Sequence, residues 1–541
     1  MFNEEVLERI TLDILYDLGY ECINGYELKR KDFSKVILEE DLKEAIKKIN
    51  GNIKEEQLHE AVRKIENLKH KNTILNNKEF TKYLIEGLQV SIYENGEKKY
   101  EKIKIMDYDN IYNNTFKVIN QYTIIGNSEK RPDLIIFVNG LPLVVIELKT
   151  KIEEKTNLIN SYNQLKSYQE TLPRLFYYNQ FMIITDGIRA RAGTISSSWN
   201  NFSEWKKIEE DDKVTEDMST YKTLFYGMLR KDRLLDIISN YILWNDDNKI
   251  LTSYHQYFAV KKAIKSTQDA IENKTGKAGI IWHTQGSGKN LSIIYYIENM
   301  IKKLENPNII VLTDRIELGN QLYGILSKYS SYLKQELMKI KDMRDLNDKI
   351  NKTKSGGIFL TTLQKFKKDT GIISNREGIL IILDEVYRNQ YATEEKIKLV
   401  EGKNKEIQYL QIAFPNATYI AFTGTPLEKK DKLPNNIFGK IIDTYDITQS
   451  VIDGATVPIV YESRVSKSGL TTKMLDKVDE YYNYVEKNEN IEKYKIVDFQ
   501  KNMYNISQVI ENPNRLQMIV EDIIKQYEQI ETSIANKAMV V

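Results

Sequence analysis

In the N-terminal half, the residues able to do chemistry are gathered in one short stretch. Arg131-Pro132-Asp133 is followed by Ile146-Glu147-Leu148-Lys149. Cutting a phosphodiester near neutral pH needs a divalent cation that polarises the phosphate and acidifies water. Mg²⁺ takes few carboxylates and keeps several waters, and Asp133 and Glu147 supply two, so both are metal-ligand candidates. Lys149 shares a strand face with Glu147, because side chains alternate with period two. Its ammonium can hold the attacking water or a phosphate oxygen. Val144-Val145-Ile146 reads as a buried strand that ends in two charges, which packing alone does not require. The plain alternative is a surface hairpin with ordinary charges.

The hairpin itself is constrained. Asn139-Gly140 separates two apolar runs, 134–138 and 143–148, and signals a tight turn. A plain two-residue turn pairs Asp133 with Ile146, on the wrong face. A three-residue loop centred on Gly140 pairs it with Glu147. Pro142 donates no ladder hydrogen bond, so an odd loop or a bulge is expected.

The second half carries Thr284-Gln285-Gly286-Ser287-Gly288-Lys289-Asn290 after an apolar run. A glycine-rich turn between strand and helix aims backbone N–H groups at phosphates, and the lysine reaches the β- and γ-phosphates. Ile382-Leu383-Asp384-Glu385 supplies the partner motif, with Asp384 toward Mg²⁺ and Glu385 toward the attacking water. ATP and Mg²⁺ are the expected cofactors. Asn290 stands where such loops carry Ser or Thr as a magnesium ligand, and an amide differs in reach and donor pattern.

The elements that must position these groups are legible in outline. Residues 4–19 have the apolar spacing of an amphipathic helix stopped by Gly19. Residues 40–70 read as charged helix, 115–149 as β, 157–170 as helix and 181–185 as strand. Residues 205–250 look helical and connecting. From about 250, apolar strands near 279–282, 309–313, 358–361, 379–383 and 419–423 alternate with helices, which implies a parallel sheet. Residues 466–530 read as polar helix, and 538–541 as a strand.

Composition bounds the rest. The chain has 541 residues, enough for two to four domains. One cysteine, Cys22, excludes an intrachain disulfide, and the four histidines do not pair at metal-ligand spacing. A net charge of +1 leaves any DNA contact to local patches. No secretory signal and no membrane-spanning run is present in the sequence, so a cytoplasmic protein is expected.

These motifs together resemble the R subunit of type I restriction enzymes, with a PD-(D/E)xK nuclease fold followed by a helicase-like motor. Gln164 and Tyr168 match that family's Gln-x-x-x-Tyr motif and imply auxiliary catalytic roles. Glu8 matches the acidic residue of its first helix, which implies a further metal or water ligand. Gln256 in Tyr254-His255-Gln256-Tyr257 matches its adenine-reading glutamine. Thr313-Asp314-Arg315, Thr361–Phe366 and Thr423-Gly424-Thr425-Pro426 match its motor motifs in order. The resemblance implies double-stranded DNA as substrate, and methyltransferase and specificity subunits as partners. In the family's Asp-Glu box Tyr387 replaces a histidine, a departure that falls, like Asn290, on the hydrolytic machinery.

The expected architecture is α/β. A PD-(D/E)xK-type α/β nuclease domain spans 1–235 and a RecA-like parallel-sheet P-loop lobe 236–465. Residues 466–541 form a linker and the beginning of a second lobe, near whose start the chain is expected to be truncated. The expected function is DNA cleavage and ATP-dependent translocation in a restriction system. The rival is a truncated or degenerate motor chain that binds DNA or partners without ATP turnover.

Overall fold

The first helix, Glu4–Asp17, starts where Asn3 accepts the Val6 N–H and ends as Gly19 turns into the left-handed region. Its apolar face, Leu7, Ile14 and Leu15, is buried. The computed structural model describes all residues except 1–2, 95–96, 151–157, 216–217, 315, 386–404, 426–436, 459–512 and 531–541. Residues Met1–Val457 form one compact unit and Pro458–Val541 another. In the second unit the described element is the helix Pro513–Ile530. Tyr387, Arg315, Pro426 and the strand expected at 538–541 lie outside the described residues.

The first unit holds two seven-stranded sheets. The first is mixed, and its strands lie side by side in chain order: Glu21–Asn24, Phe116–Asn120, Leu134–Val138, Leu141–Leu148, Phe181–Thr185, Ala190–Gly193 and Ser203–Glu204. Two neighbouring pairs are parallel, Glu21–Asn24 with Phe116–Asn120 and Leu141–Leu148 with Phe181–Thr185. The helix Leu158–Thr171 makes the crossover of the second pair. Every residue of Leu134–Val138 and Leu141–Leu148 is buried, as expected of central strands covered on both faces.

The hairpin between those strands solves the register problem with a bulge. Val138 pairs with Leu141 and Phe137 with Pro142, but Ile136 pairs with Val144. Leu143 is the extra residue. Asn139 and Gly140 both have positive φ, 51° and 74°, the signature of a type I′ turn. At Gly140 a side chain would collide with the Leu38 carbonyl. The tight turn is therefore kept, and the bulge shifts the register by one, so that Leu134 faces Ile146 and the same register, carried one residue further, sets Asp133 against Glu147.

The second sheet is wholly parallel. Its spatial order is Leu337–Lys339, Ile358–Thr362, Asn308–Thr313, Ile379–Asp384, Thr418–Thr423, Lys277–His283 and Ile441–Tyr445. The helices Tyr254–Glu272 and Lys289–Lys303 pack beside it. Residues 205–250 hold two helices, Thr220–Met228 and Lys231–Asn240, as expected of a connection. They also hold a hairpin, Ile242–Asn245 with Asn248–Leu251, that the helical expectation missed. Among the described residues no helix is long and apolar enough to cross a membrane.

Candidate nuclease and nucleotide sites

At the end of the first hairpin the bulged register brings Asp133, Glu147 and Lys149 to one face. Asp133 Oδ2 accepts the Leu148 N–H at 2.7 Å, which pins its carboxylate beside the neighbouring strand. Glu147 is 1% exposed, and its Oε2 is buried with no hydrogen-bond partner among the described residues. Such an orphan is costly unless something cationic meets it. Lys149 Nζ lies 3.4 Å from Glu147 and 3.5 Å from Glu4.

The electrostatics follow from that crowding. Burial pushes both the Asp133 and Glu147 carboxyls above the usual carboxylate range, and Asp133 raises Glu147 further. Burial alone would lower Lys149, but Glu147, Asp133 and Glu4 outweigh it and hold the ammonium charged. Asp133 and Glu147 thus fit a divalent cation, which relieves both burial and mutual repulsion. Among the described residues no three His, Cys, Asp or Glu side chains form a ready cage. A two-carboxylate site accords with a cation that keeps most of its waters.

Glu8 sits on the first helix beside this site, where its charge bears on Asp133. Its two oxygens are occupied, one by Asn120 Nδ2 and one by Gln121 Nε2, each at 2.7 Å. Gln121 adopts a positive φ of 50°, a conformation unusual for a residue with a side chain. Tyr168 is buried on the crossover helix near enough that burial and the Glu147 charge push its hydroxyl up, while Gln164 on the same helix acts in the opposite sense. The structure therefore brings Glu8, Asp133, Glu147, Lys149, Gln164 and Tyr168 to one place. Glu4 is the residue sequence reasoning missed. It stands one turn before Glu8 on the same helix face, and that spacing was the available signal.

The second constellation lies at the end of the strand Lys277–His283. Gly286 and Gly288 take φ of 84° and 81°, and the helix beginning at Lys289 follows directly. Ser287 Oγ donates to the Thr284 carbonyl at 2.7 Å, closing the loop on itself. A cleft of about 430 Å³ opens here, lined among others by Gly286, Gly288, Lys289, Asn290, Asp384 and Glu385. Lys289 Nζ is in contact with Glu385 Oε1 and 3.8 Å from Asp384 Oδ1. Glu385 sits just past its strand with a positive φ of 59°, strain of the kind that collects at functional sites. A side chain at Gly424 would press on both Glu385 and Lys289, so that backbone closes on the pair.

Gln256 lies behind the loop. Its Oε1 accepts the Ser253 N–H at 3.0 Å and its Nε2 donates to the Gly288 carbonyl at 3.1 Å. Its neighbour His255 meets the Ser287 carbonyl at 2.9 Å and stacks on Tyr445 with ring centroids 4.0 Å apart. Burial, with His283 nearby, pushes His255 down to about 4, so it is neutral at neutral pH. Both side chains brace the loop in this structure.

Comparison with known proteins draws the two halves together. Residues 1–201 match the family described as type I restriction enzyme R protein N terminus, and residues 255–494 match the SWI2/SNF2 ATPase family. The HindI type I restriction enzyme endonuclease subunit of Haemophilus influenzae is 35% identical over 486 residues, covering 85% of this chain and 46% of that protein. The MjaIXP endonuclease-subunit homologue of Methanocaldococcus jannaschii is 31% identical over 578 residues, covering 100% of this chain and 53% of that protein. A type I restriction enzyme endonuclease subunit of Staphylococcus aureus strain COL is 28% identical over 410 residues, covering 70% and 41%. The chain spans about half the length of the curated relatives it matches. The chain thus joins a type I restriction enzyme R protein N-terminal region, on its first sheet, to an SWI2/SNF2 ATPase region, on its second, and its relatives among type I restriction enzyme endonuclease subunits align across both.

Proposed function

We propose that this chain cleaves DNA at Asp133, Glu147 and Lys149 with a divalent metal, and that its P-loop lobe binds ATP to drive DNA translocation within a restriction complex. The nuclease part is assigned to 1–235 and the first motor lobe to 236–465. The observation that carries the reading is the buried Glu147 Oε2, unpartnered among the described residues, with Asp133 bonded to the next residue's N–H and Lys149 beside it. The bound metal supplies Lewis acidity and an acidified water. Asp133 and Glu147 hold it, and Lys149 holds the attacking water or offsets charge on the phosphate. Tyr168 and Gln164, on the crossover helix beside Glu147, are the proposed auxiliary residues. Double-stranded DNA and methyltransferase and specificity subunits are the proposed partners. The test is nicking of plasmid DNA with Mg²⁺. Wild-type chain should nick, and Glu147→Ala and Lys149→Ala should not. Undiminished nicking by either variant rules the assignment out.

A second reading has one observation in its favour. Asn290 lines the nucleotide cleft in place of a hydroxyl ligand. On that reading the lobe binds ATP through Lys289 and the 286–288 loop, with Thr284 and Gln256 shaping its back, but turns it over slowly. An ATPase assay with and without duplex DNA separates the two. A DNA-stimulated rate that Lys289→Ala abolishes supports the motor, and its absence supports the binding-only lobe.

A further inference from the structure

The nuclease site has a rim that none of its catalytic roles uses. Arg131, two residues before Asp133, is exposed. Its Nη1 donates to the Tyr26 hydroxyl at 3.1 Å, its Nη2 reaches Glu129 at 2.8 Å, and its guanidinium lies 5.5 Å from the Tyr26 ring centre. Tyr26 is 64% exposed, so a flat aromatic face and a guanidinium stand together in solvent.

This pair is fixed to the catalytic face through the backbone. Gly25 N donates to the Asn120 carbonyl at 2.9 Å, and Gln121 N donates to the Asp133 carbonyl at 3.0 Å. The loop beyond Tyr26 is riveted by Arg30, which donates to Thr123 O at 2.7 Å and Lys35 O at 2.9 Å and lies 3.9 Å over the Tyr122 ring. Ile125 N also donates to Phe33 O at 2.9 Å. Lys29 and Lys31 on this loop are exposed, and among the described residues neither is in a recorded ion pair. An exposed pair such as Arg131–Glu129 contributes little to stability, so the arrangement has no evident structural purpose. The ring and its hydroxyl hold the guanidinium in place, and a phosphate can take it from Glu129, because that ion pair is exposed and weak. An exposed ring beside it suits a sugar or a base face.

We infer that Arg131 and Tyr26 form a strand-holding site that grips a DNA backbone phosphate flanking the one to be cut. The inference rests on the nuclease reading and adds a binding determinant to it. The grip is electrostatic and independent of sequence.

The test is binding of a fluorescein-labelled duplex by the full chain in EDTA, which prevents cutting, followed by anisotropy at several salt concentrations. Arg131→Ala should weaken binding about tenfold and flatten the log K against log salt slope by about one. Arg131→Lys should keep the slope and lose part of the affinity. Tyr26→Ala should weaken binding with the slope unchanged. Wild-type affinity and slope in Arg131→Ala would overturn the inference, as would a wild-type chain that binds no duplex. Failure of the nuclease reading shows elsewhere, as continued nicking by Glu147→Ala, and leaves the Arg131 result to decide the grip.

Discussion

The ends of the two sheets carry charged sites in opposite states of balance. On the mixed sheet, the carboxylates Asp133, Glu147 and Glu4 crowd around one lysine, and a buried Glu147 oxygen has no partner among the described residues. On the parallel sheet, Lys289 already rests against Glu385 with Asp384 close by. The first site sets three carboxylates against a single ammonium. The second pairs its lysine directly with one of two carboxylates, and an incoming phosphate must take the lysine from Glu385. On the proposed function, the same residue types, carboxylate and lysine, would make one site that takes a metal and one whose lysine a phosphate must win from a carboxylate. The difference arises from backbone geometry. A bulge sets two carboxylates face to face in one case, and a glycine loop sets lysine against the strand end in the other.

The comparison breaks most visibly at the nuclease. Glu147→Ala or Lys149→Ala should lower the nicking rate by roughly 10²–10³, the usual scale for removing a preorganised charge from a reacting centre. Chelating the metal should do the same to the wild type. Plasmid nicking measured over time checks both.

At the nucleotide site the largest expected effect is smaller. Lys289→Ala should weaken binding of a fluorescent ATP analogue by about tenfold or more, because a charge-assisted bond to phosphate is lost. Fluorescence titration checks it, and unchanged affinity would mean that the 286–288 loop does not hold the phosphates.

The imbalance at the first site has a pH signature. The folded-state pKa of Glu147 lies above its unfolded value, so the metal-free folded chain binds the proton more tightly than the unfolded chain does. Its stability therefore falls as pH rises from the unfolded carboxylate range, near 4, through the raised folded value. Glu147→Gln removes that cost. Without metal it should stabilise the chain at pH 8 by on the order of 1–2 kcal/mol, and the gain should vanish by about pH 4. Thermal melts at the two pH values in EDTA read this directly.

The smallest effect tests that competition for the lysine. Glu385→Gln keeps the shape but frees Lys289 from a full negative charge. It should bind the ATP analogue a few-fold tighter while hydrolysing ATP no faster. Weaker binding would show that Glu385 does not compete with phosphate for the lysine.

Much of this geometry was legible because strands obey period two. Asp133 and Glu147 can share a face only if the hairpin gains a residue, and the Leu143 bulge supplies it. The strands expected from 279 to 423 appear within about two residues of their expected limits, since fully buried parallel strands are continuous apolar runs. Local patterns gave less where tertiary contact decides. Glu21–Asn24 has the burial of an edge, and Ile441–Tyr445 is only partly buried and joins its sheet beside Lys277–His283. The Ile242–Leu251 hairpin hides because Lys249 is buried there, its ammonium held by Asn77, Asn179 and Gln180. A lysine in a strand ordinarily reads as exposed. Glu4 escaped notice because a helix-start glutamate is ordinary capping charge until Lys149 is seen beside it.

The central claim is that Asp133 and Glu147 together hold a divalent metal. The most direct test is calorimetric titration of Mn²⁺ into the full chain at pH 8 without nucleotide, beside Glu147→Gln and Asp133→Asn. The account predicts a metal site in the wild type, with proton release that grows as pH is lowered toward neutrality, and loss of that site in both variants. A wild-type isotherm in either variant would contradict it.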